Sequence, residues 1–83
     1  MPTVNEVLTV ATDSVTVING INDGSIVRDD LTQDEINEMV QNNVTHLETI
    51  LAYTDPDVAG SSADKSSYTT AITTGKTYIA ANS

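Results

Sequence analysis

Between Leu31 and Leu51 the chain carries a complete helix start followed by a single apolar stripe, and this constrains the fold more than any other feature. Thr32 stands three residues before Glu35. Its hydroxyl can accept from the Glu35 N–H while the glutamate reaches back to the Thr32 N–H, a capping box. Leu31 and Ile36 occupy the two staple positions around it, and Asp34 and Glu35 lie in the first turn, where the helix dipole favours negative charge. Ile36, Met39, Val40, Val44, Leu47, Ile50 and Leu51 then recur at i, i+3, i+4, i+7 spacing. Asp55-Pro56 ends the pattern, because the residue before a proline resists helical dihedrals. The spacing predicts a helix over 33–53.

Asp55 to Ser62 reads as a connector rich in Pro, Gly, Ser and Asp, and a second helix over 64–80 follows, capped by Ser61 with Asp64, or by Asp64 alone. Its apolar face is Tyr68, Ala71, Ile72, Gly75, Tyr78 and Ile79, with Ala71 and Gly75 small enough to let another helix come close. Thr69, Thr70, Thr73 and Thr74 work against it as poor helix formers. A short connection between two helices predicts an antiparallel α-hairpin.

Residues 1–31 admit two readings. Val7-Leu8-Thr9-Val10 and Val15-Thr16-Val17-Ile18 are β-branched runs separated by Thr12-Asp13-Ser14, and Asn22-Asp23-Gly24 is a hairpin-turn signal before Ser25–Arg28. Against this, Val4, Val7, Leu8, Ala11, Val15 and Ile18 fit helical spacing, Thr3 and Glu6 form a further capping box, and Gly20 could end a helix. The weight of Val and Thr, and the Asp-Gly turn, favour strands. The expected fold is therefore α+β: a single small domain over 1–83, with an antiparallel β-meander or hairpin at residues 4–29 packed on the α-hairpin. An all-α three-helix arrangement is the alternative.

Size bears on what such a domain can do alone. The 83 residues should fold to roughly 4,800 Å² of surface from roughly 12,800 Å² unfolded, burying only about 60%. With no Phe, Trp or Cys, neither large aromatics nor disulfides reinforce the core, so a partner or self-association, a homo-oligomer, is expected. The free edge of the meander and the leftover apolar residues Tyr53, Val58 and Tyr78 are the expected contact surfaces.

Twelve Asp and Glu face only Arg28, Lys65 and Lys76, a net charge of −9. Three scattered cations cannot neutralise a phosphate backbone or hold an anionic membrane, so nucleic acid and membrane are excluded as partners. The same charge suits an oppositely charged protein partner. No apolar run approaches a membrane span, and Met1-Pro2-Thr3 lacks the character of a signal peptide.

Candidate sites for chemistry are few. His46 is the only histidine, with Asn42 and Asn43 one turn before it and Ile50 one turn after, and without Cys or a second His it makes no zinc site. A calcium-loop pattern starts at Asn19, with Asp23, Gly24 and Asp30 at positions 5, 6 and 12, but Ile21 fills position 3 and position 12 lacks its Glu. A second begins with Asp55, Asp57 and Gly60 and fails at Ala59 and Ser66, so Asp55 and Asp57 could hold a divalent ion only weakly. Asp29, Asp30, Asp34, Glu35 and Glu38 cluster around the first helix start, where the dipole and solvent account for them. Gly75-Lys76-Thr77 imitates the end of a phosphate loop without its first glycine. No catalytic, cofactor-binding or metal-ligating residue is assigned.

The helical half nonetheless has a familiar look. The run Leu31-Thr-Gln-Asp-Glu-Ile-Asn-Glu-Met-Val-Gln-Asn-Asn-Val-Thr-His-Leu-Glu-Thr-Ile-Leu51, followed by Asp64-Lys-Ser-Ser-Tyr-Thr-Thr-Ala-Ile-Thr-Thr-Gly-Lys-Thr-Tyr-Ile79, resembles small acidic proteins of marine tailed phages, cyanophages in particular. The resemblance implies a virus-encoded protein and transfers no functional residues. With the thin core and the lack of reaction machinery, it leads to an expected function. The chain would be a non-enzymatic structural protein of a phage virion, a capsid or tail accessory bound to the shell or to itself. The alternative is an acidic module in the host cytoplasm that fills a basic groove on a host protein.

Overall fold

The structure, a computed structural model, describes residues 4–52 and 62–83, with side chains over 11–52 and 64–83. It contains α1 (Val4–Asp23), α2 (Gln33–Leu51) and α3 (Ser62–Ala81), each packed against the other two. No strand occurs among the described residues. The fold is an all-helical bundle, and the α+β expectation is wrong in its N-terminal half.

The correction is physical. The β-branched runs of residues 4–29 lie in α1, where Ala11, Ser14, Ile18 and Ile21 recur at helical spacing and are all buried. Burying that stripe between two other helices outweighs the small per-residue preference of Val and Thr for strands. The Asn22-Asp23-Gly24 signal is a helix stop. Gly24 takes φ +84°, the left-handed conformation that ends helices as readily as it turns hairpins. Beyond it, the Asp23 carboxylate accepts from the Ser25 N–H at 2.8 Å, and the Ile26 N–H donates to the Gly20 carbonyl at 3.0 Å. Ile26 then lies so close over Gly20 that a Cβ there would collide with it.

The α2 start forms as its residues dictate. The Glu35 N–H donates to Thr32 Oγ1 at 3.2 Å, the Thr32 N–H donates to Glu35 Oε1 at 3.0 Å, and the Ile36 N–H bonds the Thr32 carbonyl at 2.9 Å. The helix ends at Leu51 with Ala52 as its cap, short of the expected 53. Tyr53 and the Asp55-Pro56 stop lie outside the described residues, as do Val58 and Ser61. Helix α3 begins at Ser62, ahead of the expected 64, and runs one residue past 80.

The bundle measures 36 × 22 × 19 Å, its long axis close to the roughly 30 Å of a 20-residue helix. Val40, Val44, Leu47 and Ile50 of α2 meet Ile18 and Ile21 of α1 and Tyr68 and Ala71 of α3 in one core. Gly75 marks the tightest crossing. A Cβ there would lie 2.5 Å from Val44 Cγ2, 3.3 Å from Val40 Cγ1 and 3.4 Å from Ile18 Cγ2.

Candidate functional site

The up-down-up course of the helices brings the end of α1, the 24–32 connector, the start of α2 and the end of α3 to one pole. Half of the Asp and Glu residues sit there: Asp23, Asp29, Asp30, Asp34, Glu35 and Glu38, all exposed, with Arg28 their one local cation. Asp23 is held below the usual carboxylate range by hydrogen bonds from Ser25, the backbone N–H first. Arg28 grips Asp30 as a fork, Nε to Oδ1 at 3.0 Å and Nη2 to Oδ2 at 2.8 Å. That pairing lowers the Asp30 pKa and raises that of Arg28. Arg28 Nη1 also reaches Met39 Sδ at 3.7 Å, which ties the connector to α2.

Side-chain amides fasten α3 to the same pole. Gln33 Nε2 donates to Asn37 Oδ1 at 2.9 Å and to Tyr78 Oη at 3.0 Å. Asn37 Nδ2 donates to the Asn82 carbonyl at 3.1 Å, and Asn82 Nδ2 donates to the Tyr78 carbonyl at 2.8 Å. Tyr78, expected as a leftover contact residue, is therefore engaged within the molecule. The exposed large apolar side chain among the described residues is Val27, 68% exposed. It sits on the connector between anchored Ile26 and forked Arg28. The free sheet edge expected to carry contacts is not found among the described residues, where Val4–Asp23 are helical and 24–29 lie in the irregular connector.

The other sequence candidates separate. His46 is half-buried, and its Nε2 is shielded from solvent without a hydrogen-bond partner. Asn43, one turn earlier, spends its amide on the Met39 carbonyl at 2.8 Å. No group of His, Asp and Glu among the described residues could hold a metal ion. Of the first calcium-loop pattern, Asn19 lies within α1, Asp23 serves Ser25 and Asp30 serves Arg28. Asp55, Asp57 and Gly60 of the second lie outside the described residues. Gly75-Lys76-Thr77 is interior to α3: Gly75 is buried, and Lys76 Nζ pairs with Glu48 Oε2 of α2 at 3.0 Å.

Sequence reasoning missed the amide network and the exposure of Val27. The Arg28–Asp30 fork had a weak signal, an opposite charge two residues away. Comparison with protein-family models, curated proteins and solved structures finds no match. No described helix is long and apolar enough to cross a membrane.

Proposed function

We propose that this chain is a non-enzymatic structural protein of a tailed-phage particle, docked by its acidic pole onto a basic surface of a capsid or tail shell protein. The observation that carries the reading is the pole itself: carboxylates from two helices and a connector share one end of the bundle with exposed Val27, whose connector is tied to α2 through Arg28. Preorganisation lowers the entropy lost on docking, and an apolar anchor inside a charged rim is the usual anatomy of an interface. Charge argues for a foreign partner at this pole, since two acidic poles repel each other.

The charge-mimic alternative is supported less well. It needs carboxylates in a continuous array, but the outward stripe Asp34, Glu38, Gln41, Thr45, Glu48 on α2 is broken by two uncharged residues. Glu48 is also paired with Lys76. Mass spectrometry of purified particles distinguishes the two readings. Copies near-stoichiometric with a shell protein are expected, and absence from the particle overturns the virion role.

A further inference from the structure

Arg28 holds the connector between α1 and α2 with two grips of unequal strength. Its Nε and Nη2 engage the Asp30 carboxylate, while Nη1 reaches Met39 Sδ at 3.7 Å. A thioether is a weak acceptor, so the arm that reaches α2 is the weaker one. Met39 is half-buried: its side chain packs against the core cluster, yet its sulfur meets a guanidinium whose side chain is 39% exposed. With no Cys or Trp in the chain, Met39 and Met1 are its oxidation-prone side chains, and Met1 lies outside the described residues.

We propose that Met39 is a peroxide-responsive site whose oxidation locks the connector to α2 through Arg28. The chemistry is an oxygen transfer. The sulfur lone pair attacks one oxygen of hydrogen peroxide, and the O–O bond breaks. The transferred hydroxyl passes its proton to the departing hydroxide, which leaves as water, and the oxygen stays on sulfur. Sulfur is oxidised and the peroxide is reduced. Such a change ordinarily disrupts a core, because it makes an apolar side chain polar. Here the new oxygen forms beside a charged donor. A sulfoxide oxygen accepting from a guanidinium makes a charge-assisted bond, about twice as strong as a neutral one. The Asp30 fork is retained, since it uses Nε and Nη2 and leaves Nη1 to the sulfoxide. The sulfoxide also carries no net charge, so it adds nothing to the repulsion among Asp29, Asp34, Glu35 and Glu38 at the same pole. Arg28 is then gripped firmly from both sides, and Val27 is the residue next to it.

Trypsin reads this grip directly, because it must draw the Arg28 side chain into its own carboxylate pocket and so cleaves only when the fork opens. The full chain, treated with hydrogen peroxide and mapped by mass spectrometry, should gain one oxygen at Met39. Cleavage after Arg28 should then slow severalfold relative to untreated protein. Cleavage after Lys76, which requires α3 to open, should not accelerate. In Met39→Leu, a volume-conserving change that leaves Met1 as the remaining thioether, peroxide should not alter cleavage after Arg28. Acceleration at either site means that the sulfoxide loosens the bundle, and it overturns the proposal. So does unchanged cleavage after Arg28, a Met39 that peroxide leaves unmodified, or equal slowing in Met39→Leu. None of these outcomes bears on the virion role, which the composition of purified particles decides.

Discussion

At the scale of single residues, two glycines carry opposite kinds of constraint. Gly75 is required for space. Alanine there gains about 1 kcal/mol of helix propensity but drives its methyl into Val44 and Val40, an overpacking that costs about 1–3 kcal/mol. Gly75→Ala should therefore lower the melting temperature by several degrees, and thermal circular dichroism will read it. Gly24 is required for its dihedral, since nothing crowds it. Gly24→Ala should destabilise by about 1 kcal/mol through the left-handed φ alone, measured as a lower urea midpoint with unchanged slope. Titration also belongs here. Asp23 and Asp30 have folded pKa values below their unfolded ones, so their contribution is present above about pH 4 and is lost as pH falls through the folded values. Tyr68 is shifted the other way, first by burial and then by Asp64, so its contribution holds below about pH 10 and is lost on further rise. Urea midpoints should accordingly fall on both sides of a neutral plateau. Asp30→Asn should flatten part of the acid side, and Tyr68→Phe should flatten the alkaline side.

At the scale of elements, α2 was legible because its signals are local and agree. Thr32, Glu35 and the stripe from Ile36 to Leu51 need no knowledge of the rest of the chain. Thr32→Ala should destabilise by about 1 kcal/mol, and combining it with Glu35→Ala should cost less than the two singles together, because both partners serve one motif. Helix α1 was misread because its local signals conflict. Val and Thr favour strands, and Gly24 serves a hairpin or a helix stop equally well. What decides is the burial of Ala11, Ser14, Ile18 and Ile21 against helices that come later in the chain. The site divides in the same way. The carboxylates of 29–38 could be read as a cluster because they are neighbours in sequence. The Gln33–Tyr78 and Asn37–Asn82 bonds could not, since each spans 45 positions and exists only once the bundle has closed.

At the scale of the whole molecule, the accessible surface of 5077 Å² lies close to the roughly 4,800 Å² expected of a compact monomer of this mass. The helices bury their stripes against one another. The charge remains. With −9 distributed over a small bundle, raising the salt from about 0.02 to 0.5 M shrinks the screening length several-fold and should raise the melting temperature. A fall with salt would mean that attractive pairs such as Arg28–Asp30 and Lys76–Glu48 outweigh the repulsion.

The described residues make three passes along the bundle, an odd number. Val4 therefore sits at the end remote from the connector, while Asn82 is held beside Asn37. A fluorophore on Ser83 would report directly on whatever approaches Val27, and one near Val4, about 30 Å away, would provide an undisturbed internal reference.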